Sequence, residues 1–233
     1  MILNQFTYQK LFLILFISLL LTSCVDKLER PLASGSQPEP ETEELKVVAH
    51  LPVQIDSTDY LLHPIGDLSL RSSGYYSSGT SAGVYRSSDA INGRFTNIKF
   101  QQVDSEEMLT LTNEKVIITS VQFLRGIFQN TGKEFLLYEV CDRDSNGDDK
   151  LDSKDVSSLY ISTISGGNFR KLTAKDQNFE EFTIIDEMNR VYFKTREDTD
   201  GDKDFDEKDG SHIFYIDLGA EAPKVIEYDP LKG

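Results

Sequence analysis

The sequence predicts an all-β domain assembled from repeated antiparallel units, stacked or arranged radially. Three observations carry this expectation. The 233-residue chain is punctuated by short runs rich in aromatic and β-branched residues, which is strand chemistry. One unit, a strand, an acidic loop and a second strand, occurs twice at an offset of 54 residues, with loops at 144–155 and 198–209. An internal repeat at this period points to a repeated architecture. No window of helical length carries an apolar stripe at the 3.6-residue period.

The N-terminal segment is not part of that fold. Lys10 precedes an apolar run from Leu11 to Leu21, and Thr22, Ser23 and Cys24 follow. The run suits a signal-peptide core and falls short of the roughly 18 to 20 residues that a spanning helix needs. Its end, Leu-Thr-Ser-Cys at 21–24, resembles the lipobox of bacterial lipoproteins. The resemblance implies cleavage before Cys24, lipid on its sulfur and amine, and a membrane anchor in the bacterial cell envelope, at the outer membrane. An ordinary secretory signal or an N-terminal anchor is the alternative. After Cys24 the Pro, Glu and Ser content reads as a solvated tether. The expected organisation is a signal peptide at 1–23, lipidated Cys24 and tether at 24–44, and one folded domain at 45–233.

A net charge of −15 with no basic stripe argues against a nucleic-acid partner. With Cys24 lipidated, Cys141 is the remaining thiol, so no internal disulfide forms. Cys141 lies in the strand-like run FLLYEVC and reads as a small buried apolar residue.

In chain order, the strand candidates are 46–55, 59–65, 95–103, 108–112, 115–124, 135–143, 157–164, 181–185, 190–197, 211–218 and 224–228. Residues 69–89, rich in Ser, Gly and Tyr, read as a long mobile loop, a disordered excursion, with a contact surface formed by its tyrosines as the alternative. The stretch SSLYISTISGGNFRKLT resembles the TolB-type β-propeller repeat at Leu159, Tyr160, Gly166, Gly167, Arg170, Leu172 and Thr173. The second copy keeps Ile213, Phe214, Tyr215 and Ile216 but replaces the turn with GAEAPK. The resemblance implies a propeller-like array of antiparallel sheets. Blades of about 40 to 50 residues leave room for about four, so a partial or open array is equally consistent.

The two loops carry the chemistry. Loop 144–155 holds five acids and two lysines, and loop 198–209 holds seven acids and two lysines, so together they contribute −8 of the charge. Their spacing resembles EF-hand and dockerin-type calcium loops, which place oxygens at positions 1, 3, 5, 7 (backbone carbonyl), 9 and 12. Carried over, the resemblance implies Asp144, Asn146, Asp148, the carbonyl of Lys150, Asp152 and Asp155 in one site. The other would use Asp198, Asp200, Asp202, the carbonyl of Asp204, Asp206 and Asp209. Leu151 and Phe205 fall at position 8, the place of an apolar anchor. Position 6, normally Gly, is Asp149 or Lys203, and position 12 is Asp rather than the longer Glu. Both departures imply weak calcium sites, roughly 10⁻⁴ to 10⁻³ M. A register starting at Asp142 would put Gly147 at position 6 but leaves Ser153 at position 12 and no apolar residue at 8. Magnesium suits such cages less well because it keeps its water. The competing reading is a pair of solvated acidic turns.

Signals for catalysis are few. GTSAG at 79–83 matches the G-x-S-x-G elbow around Ser81, but lacks the strand before and helix after that the elbow requires. His50, His63 and His212 have no metal-ligand spacing. The expected function is therefore a lipid-anchored, calcium-binding module or scaffold with a protein or glycan partner, or a structural subunit contacting others through 69–89. An envelope hydrolase acting on polysaccharide or peptide is the alternative.

Overall fold

The computed structural model describes residues 47–67, 85–86 and 89–232. The segments expected to be signal peptide (1–23) and tether (24–44, with Cys24), Ser81 and most of 69–89 lie outside these residues. The strands in chain order are β1 (Val47–Ala49), β2 (Val53–Gln54), β3 (Tyr60–Asp67), β4 (Tyr85–Arg86), β5 (Ala90–Phe95), β6 (Asn97–Gln102), β7 (Met108–Thr110), β8 (Ile117–Phe123), β9 (Phe135–Cys141), β10 (Ser157–Thr163), β11 (Arg170–Lys171), β12 (Gln177–Ile185), β13 (Arg190–Glu197), β14 (Gly210–Asp217) and β15 (Val225–Glu227). They form three antiparallel sheets, none closed into a barrel. The first runs β1-β3-β6-β7 with β2 also on β3, the second β11-β10-β9-β8-β5-β4, and the third β12-β13-β14-β15.

The second and third sheets each contain a meander of four consecutive strands, β8 to β11 and β12 to β15. The two acidic loops occupy the same place in both, joining the second strand of the meander to the third.

The burial pattern shows why the strands differ in sequence. In β9, Leu136, Tyr138 and Val140 pack into a core shared with the first sheet, around Leu62, Ile98 and Phe100. Leu137 points the other way, into a core with Val191, Phe193 and Ile216 of the third sheet. A strand covered on both faces needs a near-continuous apolar run, and FLLYEVC is one apart from Glu139, whose half-buried carboxylate accepts from the hydroxyl of Ser157. In β13, by contrast, Val191, Phe193 and Thr195 are buried while Tyr192, Lys194 and Arg196 are not, so this strand alternates. The middle sheet is thus sandwiched, and the third keeps one face toward solvent.

Three local departures from the sequence expectation have physical causes. The run 46–55 is two short strands, interrupted around Pro52, which has no N–H for a ladder. No strand candidate covers Ala90–Arg94, yet β5 runs through it, and its pairing with β8 slips between Asn92 and Phe95 as a bulge around Gly93. A helix at Arg125–Thr131 closes on Gly132, whose φ of 70° lets its N–H reach the carbonyl of Phe128. Its seven residues are too few to show a helical period. Among the described residues no helix is long and apolar enough to cross a membrane.

Candidate metal centre

Each acidic loop is organised by side chains accepting from its own backbone. In the first, Asp144 accepts from the amides of Gly147 and Asp149 at 2.6 and 2.8 Å, Asn146 from Asp148 at 2.9 Å, and Asp148 from Lys150 at 2.9 Å. In the second, Asp198 accepts from Gly201 and Lys203 at 2.7 and 3.1 Å, Asp200 from Asp202 at 3.2 Å, and Asp202 from Asp204 at 2.8 Å. Each of these four bonds recurs 54 residues later, although the Val156 amide to Ser145 Oγ and Lys208 Nζ to Asp206 are each made in one copy alone. Such side-chain turns fix a chain that lacks strand partners.

The backbone repeats as well. Gly147 and Gly201 have φ of 77° and 78°, and Asp149 and Lys203 have φ of 62° and 69°. Position 6 therefore takes the left-handed conformation that the loop demands, although neither residue is Gly, at a cost of roughly 1 to 2 kcal/mol each. The strand pairing does not repeat. Shifted back by 54, the second hairpin would pair Arg143 with Val156, whereas the first pairs Cys141 with Ser157, one residue out of step. The loops are congruent while their strands are not, so the geometry originates in the loop residues.

The carboxylates of Asp198, Asp200 and Asp202 offer oxygens within 4.8 Å of one another. Calcium–oxygen distances of about 2.3 to 2.6 Å put two ligands at most about 4.6 to 5.2 Å apart, so this spacing fits one such ion. No hydrogen bond among the described residues occupies the carbonyl oxygens of Lys150 and Asp204. Asp206 and Asp209 stand outside the three-carboxylate cluster.

The twelfth-position aspartates have a structural task. Asp155 Oδ1 accepts from the amide and hydroxyl of Ser145 at 2.8 and 3.2 Å, and Oδ2 accepts from the amide of Asp152 at 2.9 Å. Asp209 repeats this with Thr199 at 2.9 and 3.0 Å and with Asp206 at 3.0 Å. Both are buried, at 6% and 8% exposure. Burial works against the charge of Asp155, but the backbone bonds from Asp152 and Ser145 outweigh it and lower its pKa. The amide of Thr199 does the same for Asp209. Each carboxylate clamps the start of its loop to the end. Ser145 and Thr199 have no place in the ligand numbering, yet a hydroxyl at position 2 of both copies is a legible signal for this clamp.

Leu151 and Phe205 are half-buried and belong to neither core. Phe205 instead lines an open cleft shared by the two loops. Asp152 and Asp206 accept from the amides of Lys154 and Lys208 at 2.8 and 2.7 Å.

Cys141 is 3% exposed, and burial first, then nearby Asp155 and Glu139, push its thiol up to about 11. It is packing, as its strand context implies. The histidines stand apart from one another: His63 pairs with Gln101 at 2.9 Å, His50 meets the ring of Phe95, and His212 lies between two glutamates. Together these features define an all-β domain carrying two copies of one acidic loop. Compared with protein-family models and with curated proteins, the chain matches none.

Proposed function

We propose that this protein is a calcium-binding lipoprotein of the bacterial cell envelope, held at the outer membrane by lipid on Cys24 and acting as a binding or scaffold module. The observation that carries the calcium reading is the congruence of the two loops, side chain by side chain and φ by φ, across strands whose pairing is out of step. The consecutive four-stranded meanders of the second and third sheets support a propeller-like, open array. Calcium would be held by Asp144, Asn146 and Asp148 in one loop and by Asp198, Asp200 and Asp202 in the other, with the carbonyls of Lys150 and Asp204. The ion supplies positive charge that stiffens each hairpin.

Thermal unfolding in a calcium titration tests this. For sites of roughly 10⁻⁴ to 10⁻³ M, about 10 mM calcium stabilises by about 1.4 to 2.7 kcal/mol per site. The expected result is a saturable rise of several degrees, with Asp144→Ala and Asp198→Ala each removing about half of it. An equal rise with magnesium or sodium chloride would show charge screening instead. The lipid anchor is tested separately: Cys24→Ser is expected to release the protein from the membrane fraction.

A further inference from the structure

The two loops border one open cleft of about 670 Å³, within the usual range for ligand sites. Although the chain carries −15, this lining gathers Arg143, Lys154, Lys175 and Lys203. They come from three segments: the first hairpin, the connection between β11 and β12, and the second acidic loop. Their partners differ by sign. The acids of the lining are all engaged: Asp176 with Arg143 at 3.2 Å, Glu197 with His212 at 3.0 Å, Asp155 with Ser145, and Asp144 and Asp198 with amides of their own loops. The ammonium groups of Lys154, Lys175 and Lys203 have neither ion pair nor hydrogen bond among the described residues.

We propose that this cleft binds a carboxylated glycan, an extended sugar chain bearing uronate groups that pair with Lys154, Lys175 and Lys203. Three unpaired cations from three segments suit charges repeated along a chain better than a single compact anion. The rest of the lining is Val156 and polar or charged side chains, its five acids outnumbering its four bases by one, with Phe205 its one aromatic surface. That composition suits hydroxyl-rich rings stacking on Phe205, whereas a peptide groove needs apolar pockets for alternate side chains. In affinity the inference rests on the calcium reading, because two bound divalent ions halve the −8 of the bordering loops and so reduce repulsion of an anion.

The test uses the full chain in detergent, with calorimetric titration of a galacturonate oligomer, a neutral galactan oligomer and an oligoglutamate of equal length. The galacturonate is expected to bind in calcium and the galactan not. The triple variant Lys154→Gln, Lys175→Gln, Lys203→Gln is expected to weaken binding about tenfold or more, while it still unfolds cooperatively and still shows a saturable calcium response. Its melting point without calcium is expected to fall, because three positive charges leave the cleft that the acidic loops border. Calcium stabilisation without galacturonate binding overturns the cleft assignment and leaves the calcium reading intact, as does equal affinity in the triple variant. Galacturonate binding without any calcium response supports the cleft and removes the calcium reading. Tighter binding of oligoglutamate reassigns the cleft to an acidic protein partner and overturns the glycan.

Discussion

Two glycines with nearly equal φ separate backbone strain from crowding. Gly147, at φ 77°, has open space where a Cβ would stand. Gly166, at φ 79°, would place a Cβ 2.5 Å from the ring of Phe100, a fully buried residue of the first sheet. Gly147→Ala therefore carries only the left-handed penalty, about 1 to 2 kcal/mol. Gly166→Ala adds overpacking of a fixed ring, for about 2 to 5 kcal/mol in all. Urea unfolding of the two variants checks this, and equal losses would mean that the Phe100 contact yields freely. Gly166 stands out in the sequence because of the turn it makes, but its contact with Phe100 does not, since that contact spans two sheets. The same limit applies to the twelfth-position aspartates. Their spacing marks them as candidate ligands, while their clamp on Ser145 and Thr199 depends on where the loop ends meet in space.

At the scale of elements, three strands of the third sheet are joined by one histidine. His212 on β14 pairs through Nε2 with Glu197 of β13 at 3.0 Å and through Nδ1 with Glu227 of β15 at 2.8 Å, while its ring stacks on Phe214. The bond to Glu227, then that to Glu197, raises its pKa against the opposing effect of burial. A raised folded-state pKa adds stability that is fully present below the unfolded value of about 6.5 and is lost as pH rises through the folded value. The melting point should therefore fall as pH is raised from about 6 through neutrality and beyond, and His212→Gln should flatten that slope. A variant that keeps the full slope would place the titration elsewhere. Most strands of this sheet are legible because each buries one face: RVYFKTRE alternates as its burial does. The weaker signals lie where a neighbour supplies what the local sequence lacks. β11 is two residues long and exists by pairing with β10, and the bulge in β5 is stabilised by β8. A third strand beside a hairpin needs little β-propensity of its own.

For the molecule as a whole, the dominant unbalanced quantity is charge. Over half of the net −15 sits in two loops of twelve residues, and those loops face one another across a cleft. Like charges so placed destabilise the folded chain relative to an expanded one. Monovalent salt should relieve this by screening, since the Debye length falls from about 30 Å at 0.01 M to about 10 Å at 0.1 M. Without divalent ions, the melting point should rise with sodium chloride over that interval. Saturating calcium should shrink the rise, because two ions neutralise four charges where repulsion is greatest. Asp144→Ala and Asp198→Ala, each removing one charge and one site, should show a smaller salt response without calcium and a larger one with it than the parent. A salt slope that calcium leaves unchanged in the parent would mean that the loops hold no ion and that the repulsion lies elsewhere on the surface. Site binding and diffuse screening both raise stability, and only the interaction between them tells which one the paired loops were built for.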